Sequence, residues 1–374
     1  MSNTYRINNL DTVLDIIDPD LENRALNEVR QVPYAYMEVV DTDGTVIDIT
    51  TCTEFRVTHA IGDMYGSFNA SIVRSSSWNE LGSLEVLKTR PDIRRRVKLY
   101  VGQKIGSVYK SELIFIGIPI FRPESYQHGS SDRFSMRGYG LGYLMSKLDG
   151  EYSEDYFSGT SQELINYWMG EAGLEAVLDY TDDILYDTEL IAFTNINSGI
   201  SNIKTSLGPS VEYWNNYDGL LYMKETPTDD AEESDFTLES KNLLSLSLNE
   251  DGTKVITQAR AVGYEEIEYT EYASSSDISK YGLNSQTVTS NVMTTTAALQ
   301  AMTADILKYS KKFQHTFKAK VTLNPYMKVG RVVTINEDSL AKMSSSKVYI
   351  ESVRHTYKQG DSNTTDISGF VLYE

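Results

Sequence analysis

Tyr36-Met37-Glu38-Val39-Val40-Asp41-Thr42-Asp43-Gly44-Thr45-Val46-Ile47-Asp48-Ile49 is the stretch on which the fold class turns. Up to Val40 the apolar residues recur with a period near two, which sends successive side chains to opposite faces of a strand. Asp41 to Thr45 then supplies turn chemistry, with Gly44 where a tight turn needs positive φ, and Val46, Ile47 and Ile49 lead away again. The segment reads as a β-hairpin.

Similar runs follow at 54–60, 67–73, 97–101, 113–121 and 133–138, so 34–150 reads as an all-β unit of short strands, for which a small barrel or sandwich is the natural closure. After Gly150 the pattern changes. Thr160-Ser161-Gln162-Glu163 is a capping box, and Leu164, Ile165, Trp168 and Met169 follow on one helical face. A second helix is expected over 197–207, stopped by Gly208-Pro209, and a hairpin around Asn215–Gly219. Residues 151–242 are an α+β insert by this reading. From Leu243 alternation returns: Leu244, Leu246 and Leu248 run to a second acidic turn, Asn249 to Gly252, and 256–262 carries the pattern away. Ser274 to Ser276 read as a loop. One helix, 294–312, interrupts before strands at 313–323, 331–335, 347–357 and 367–373. The expected domains are an arm at 1–33, helical in its apolar spacing; a first β-barrel at 34–150; the insert at 151–242; and a second β-barrel with one helix at 243–374.

Composition bounds the chemistry. The chain has 374 residues, 40% hydrophobic and 11% aromatic, too rich in core-forming side chains for a disordered protein. Cys52 is the sole cysteine and the four histidines are scattered, so neither a disulfide framework nor a sequence-local metal site is written here. Fifty-three acidic against 34 basic residues give a net charge of −19, which repels nucleic acid from most of the surface. The N-terminus lacks a signal-peptide pattern, and the longest apolar run, 113–121, is far short of the roughly 20 residues of a spanning helix. A soluble chain without membrane anchoring is expected.

Catalytic motifs fail on inspection. Counting from Asp41, a calcium loop would need Gly at Val46 and Glu at Cys52. Gly138-Tyr139-Gly140-Leu141-Gly142 lacks the dinucleotide spacing, because Tyr143 stands at the third glycine position. Glu151, Glu154 and Asp155, like Asp179, Asp182 and Asp183, are local carboxylate groups that an acidic chain produces by chance. Cys52 reads as a packed thiol and His355 as a hydrogen-bonded or surface strand residue. No catalytic, cofactor or metal residue is assigned. The least ordinary feature is the basic island Lys88, Arg90, Arg94, Arg95, Arg96, Lys98. Its plain reading is a solvated loop. Its functional reading, carried by Arg90, Arg94, Arg95 and Arg96, is a contact with an acidic neighbouring subunit.

The order of elements resembles the central hub proteins of contractile phage-tail baseplates (late control protein D-like), shared with tailocins and contractile injection systems. The resemblance lies in Phe115-Ile116-Gly117-Ile118-Pro119 followed by Phe134-Ser135-Met136-Arg137-Gly138-Tyr139-Gly140, in the helix within 159–173, in the hairpin of 213–223, and in the closing series. That series runs Ile278-Ser279-Lys280-Tyr281-Gly282, a helix, Asn324-Pro325-Tyr326-Met327-Lys328-Val329-Gly330-Arg331-Val332-Val333-Thr334-Ile335, and Val348-Tyr349-Ile350-Glu351-Ser352-Val353-Arg354-His355. It implies a non-enzymatic virion or injection-system protein, assembled in the bacterial cytoplasm. It further implies a homotrimer whose two tube-type barrels per chain make a ring of six between a six-fold tail tube and a three-fold spike. Implied partners are the tail tube protein, the central spike protein and other baseplate proteins, with DNA or a tape measure passing an acidic or neutral lumen without tight binding. Alternative readings are a carbohydrate-binding or hydrolytic β-protein and the hub part of a type VI secretion spike.

Overall fold

The computed structural model describes residues 33–40, 46–73, 96–105, 108–121, 133–151, 157–181, 185–188, 192–227, 234–289, 295–337, 346–361 and 363–372. The expected helix of the arm and the turn at Asp41 to Thr45 lie outside these residues. The hairpin strands themselves are present: β1 (Pro33–Val40) pairs antiparallel with β2 (Val46–Ala60), Glu38 opposite Ile49.

Four more strands complete the first unit: β3 (Ser67–Val73), β4 (Arg96–Ile105), β5 (Val108–Phe121) and β6 (Arg133–Gly140). Their antiparallel pairings run β1-β4-β5-β6-β3-β2 and return to β1, a closed circuit of six strands. Met37, Phe55, Val57, Phe68, Leu99, Phe115 and Met136 fill it. The apolar run 113–121 lacks polar alternation because β5 is covered on both faces from Ile114 to Pro119, with Ile120 exposed beyond them. Ile114 and Phe115 lie in the barrel core, while Ile116 and Ile118 pack on the core of the insert. Gly138 is required by close approach, since a Cβ there would strike the Ile118 carbonyl.

The insert contains the short strands β7 (Gly150–Glu151), β8 (Phe157–Thr160), β9 (Ala176–Asp179), β10 (Leu185–Thr188) and β11 (Ala192–Phe193), with β12 (Val211–Asn215) and β13 (Leu221–Glu225). Helix α1 (Ser161–Glu171) starts at the expected capping box. The Glu163 amide donates to Thr160 Oγ1 (3.3 Å) and the Thr160 amide to Glu163 Oε2 (2.9 Å). It buries Leu164, Ile165, Trp168 and Met169 against α2 (Ile196–Leu207), which ends at Gly208, and against the β12–β13 hairpin.

The second barrel begins earlier than position 243. β14 (Phe236–Glu239) pairs parallel with β20 (Val332–Asn336) and leads through Ser240–Asn242 into β15 (Leu243–Glu250), which pairs with β19 (His315–Thr322). β21 (Ser346–Lys358) and β22 (Thr364–Val371) complete the order β15-β19-β22-β21-β20-β14. β14 and β15 act as one bent strand whose halves serve opposite ends of the sheet, so the strands surround Phe236, Phe317, Met327, Ile335, Ile350 and Ile367.

The alternating run at 243–248 does not continue into a hairpin. Asp251 caps a short turn, accepting from the Thr253 amide (3.0 Å), and the chain enters a satellite unit with its own core. There β16 (Gln258–Val262) lies between β17 (Glu268–Tyr272) and β18 (Ser285–Thr289). Helix α4 (Thr296–Ser310) lays Leu299, Met302 and Ile306 over Ala259 and Ala261. The serines 274–276 are not a loop: Ser274 caps α3 (Ser275–Tyr281) by accepting from the Asp277 amide (3.1 Å). The second barrel thus carries this unit between β15 and β19, not one helix alone.

Candidate functional site

The two barrels are fused by main-chain pairing. The C-terminal half of β2 pairs antiparallel with that of β21, from Glu54 opposite Lys358 to Ala60 opposite Ser352. Each of these long strands uses its N-terminal half within its own barrel, β2 on β1 and β21 on β20, and each is followed by a partner strand, β3 or β22. The two barrels therefore meet through matching three-strand meanders around a local two-fold arrangement. In chain order the second barrel supplies its meander last and the first supplies it first.

Two histidines occupy the inner side of this joint. Val57 faces His355 and His59 faces Val353 across the register, and both imidazoles are buried. His59 lies between two carbonyl oxygens, Nδ1 at 3.2 Å from that of Asn215 and Nε2 at 3.3 Å from that of Ile114. A neutral ring has one N–H and serves one carbonyl at a time, yet burial holds the pKa of His59 below the usual histidine value. Burial, with smaller repulsion from His59 and Lys328, lowers His355 to about 3. His355 Nδ1 instead shares a hydrogen bond with Thr365 Oγ1 (2.9 Å), which also accepts from the Asn324 amide (3.0 Å). Of the two readings of His355, hydrogen-bonded or on the surface, the structure has the first: the ring is buried and hydrogen-bonded.

The insert is locked onto the same place. The Gly62 amide donates to the Tyr213 carbonyl (2.7 Å) and the Asn215 amide to that of Asp63 (3.2 Å), while beside them the Ile61 amide of the first unit donates to the Glu351 carbonyl of the second barrel (2.8 Å). Trp214 stacks on Tyr222 with ring centres 5.6 Å apart and covers Gly330, whose φ of +80° and lack of Cβ leave room for the indole. At the edge of the joint Lys312 is buried, its side chain 4% exposed. Its ammonium lies 3.3 Å from Glu212 of the insert, 3.9 Å from Glu351 of the second barrel and 5.2 Å from the Phe370 ring centre. Burial pushes the Glu351 carboxyl above its ordinary range and Lys312 pulls it back. One cation thus ties three units together. Sequence reading did not single out Lys312, Glu212, Glu351 or His59, because partners 39 to 156 positions apart leave no local pattern.

Of the basic island, Arg96 opens β4 opposite Val40 and is partly exposed; Arg90, Arg94 and Arg95 lie outside the described residues. Cys52 is fully buried in the first core, its thiol pushed up to about 12 by burial, as a packed thiol should be. Among the described residues no group of three or more His, Cys, Asp or Glu is placed to hold a metal ion, and no helix is long and apolar enough to cross a membrane.

No family model and no curated protein matches the sequence. Solved structures do match. A tail protein from Neisseria meningitidis superposes with a TM-score of 0.64 at 12% identity, covering 90% of this chain and 96% of that one. A 43 kDa tail protein of a Shewanella oneidensis prophage gives 0.60 at 10% identity, covering 91% and 98%. A prophage tail protein from Listeria monocytogenes gives 0.52 at 11%, covering 89% and 94%. The chain has the fold of phage tail proteins. The likeness spans both barrels and what lies between them, so the mainly β architecture with two barrels flanking an α+β insert is a tail-protein architecture.

Proposed function

We propose that this chain is the structural, non-enzymatic central hub of a contractile-tail baseplate, a homotrimeric ring adapting a six-fold tail tube to a three-fold spike. The observation that carries the reading is the β2–β21 pairing, which holds two barrels side by side in one chain through equivalent strands. Closed rings need matching interfaces. Two barrels per chain give three copies six comparable staves while the chain itself keeps three-fold symmetry. The first barrel (34–150) and the second (243–374, with β14 added) are the pseudo-equivalent units, and the insert and satellite unit break their equivalence. The tail tube protein meets the ring on one face and the central spike on the other, with other baseplate proteins around it and DNA or a tape measure passing through. The particle is a virion tail or an injection machine, assembled in the bacterial cytoplasm without membrane anchoring. Arg90, Arg94, Arg95 and Arg96 belong at a subunit or partner contact, and replacing Arg94, Arg95 and Arg96 together by Ala lowers assembly while leaving the monomer folded.

Sedimentation equilibrium of the purified chain tests the reading. With a chain mass of 42.1 kDa, a trimer weighs 3 × 42.1 = 126.3 kDa. A mass near that value supports the ring; a species that stays at one or two chain masses with tube and spike proteins added counts against it.

A further inference from the structure

The fused sheet has a second consequence that does not rest on the hub reading. Seven strands, in the order β6-β3-β2-β21-β22-β19-β15, form one continuous surface across both barrels. Their inward positions fill the two cores, and their alternate positions form the opposite face. Along that face stand six cations: Arg137 on β6, Arg56 on β2, Arg354 and Lys358 on β21, and Lys318 and Lys320 on β19, all exposed. The acids among the described residues of this face are Glu54 and Asp366, giving it a formal charge of 6 − 2 = +4 in a chain of −19. Asp366 pairs with Lys320 at 3.8 Å, and Lys358 reaches Asp361 at the adjoining turn at 3.4 Å. Between the cations the positions are mostly Ser, Thr and Asn, including Asn69, Ser71, Thr356, Ser368 and Ser247. At one end a depression of about 380 Å³ lies between Glu54, Arg56, Asn69 and Arg137.

We infer that this face binds the phosphate backbone of double-stranded nucleic acid, weakly and without sequence preference. Protein interface cores are built on buried aromatic and Arg anchors and are poor in Lys and Ser; this face has arginines but no aromatic side chain among them. The exposed large apolar side chains of these strands are Tyr139 on β6 and Leu244 on β15, at the two edges; between them cations and hydroxyls outnumber the two acids, the composition of a wet, phosphate-contacting surface. Single strands need a series of aromatic platforms for their bases, which is missing among the described residues of the face. Six inter-strand steps of about 4.8 Å make the face roughly 29 Å wide, the length of about eight to nine base pairs. Net charge over the whole chain conceals this surface, because the acids are gathered elsewhere.

Fluorescence anisotropy of a 30-base-pair duplex of arbitrary sequence, titrated with the full chain, tests the assignment. Four net phosphate contacts give a log–log salt slope of about −3.6, hence a loss of roughly 150-fold between 50 and 200 mM NaCl. The triple variant Arg56→Gln, Arg354→Gln, Lys318→Gln should reduce the slope by about 2.7 and abolish measurable binding at 200 mM. The single variant Lys318→Gln, at an exposed position that disturbs no core contact, should reduce it by about 0.9. Absence of duplex binding at 50 mM NaCl overturns the proposal, as does duplex binding that both variants leave unchanged. Poly-glutamate binding as tightly as the duplex, and lost in the same variants, overturns it in favour of an acidic protein partner.

Discussion

Replacing Lys312 by Met removes a charge and keeps the aliphatic stem that packs beside Phe370. Glu212 and Glu351 are then left facing each other across the joint without their shared cation. Stripping one partner from a fully buried ion pair costs about 3–5 kcal/mol. Two features lower that figure here: Lys204 stays 3.7 Å from Glu212, and the Glu351 side chain is 26% exposed. About 3 kcal/mol is the expected loss, near the upper end of what single substitutions do. The pH dependence has a defined sign. Glu351 already has its pKa raised above 4.5 by burial, and without Lys312 it rises further. A raised carboxyl favours the folded state when protonated, so the deficit against wild type is complete at neutral pH and shrinks as pH falls toward the ordinary carboxylate value. Urea unfolding followed by tryptophan fluorescence, at pH 7.5 and 5.5 with wild type beside the variant, reads both effects. Lys312→Met with Glu351→Gln should recover more than half of the loss at pH 7.5. A cost under about 1 kcal/mol at pH 7.5, or one that grows as pH falls, would refute the claim that this cation holds three units together.

Other consequences follow from neighbouring contacts. Gly330→Ala places a Cβ against the Trp214 ring at a φ of +80°, and should cost about 2–4 kcal/mol in the same urea assay. His355, lowered to about 3 by burial, contributes stability that is full above the unfolded value of 6.5 and declines as pH falls below it. About 3 kcal/mol should be gone by pH 4, and His355→Gln should flatten that slope. Cys52, buried and with its thiol pushed up to about 12, should react with a thiol reagent at the rate of unfolding and not before.

What the sequence revealed and what it concealed divide along contact range. The α1 capping box, the β12–β13 hairpin and the strand at 67–73 are local patterns, each written within about fifteen residues, and each appears where the sequence places it. The second barrel's first strand escaped because Phe236–Glu239 is four residues long and follows an acidic loop, so no alternation develops. The satellite unit escaped for a different reason. Residues 258–262 alternate as a barrel strand would, and only their partners, β17 and β18, distinguish the two. The joint itself is non-local: Phe55 faces Tyr357 across more than 300 residues of chain. Cys52 shows the opposite case, where one thiol among strand residues was enough to read its burial.

Class averages of the purified particle by cryo-electron microscopy, viewed down its symmetry axis, test the central claim most directly. Two barrels fused in each chain and three chains in a ring predict a three-fold projection with six barrel-sized lobes around a central opening. Isolated monomers at micromolar concentration in the presence of tube and spike proteins, or closed two-fold dimers, would contradict it.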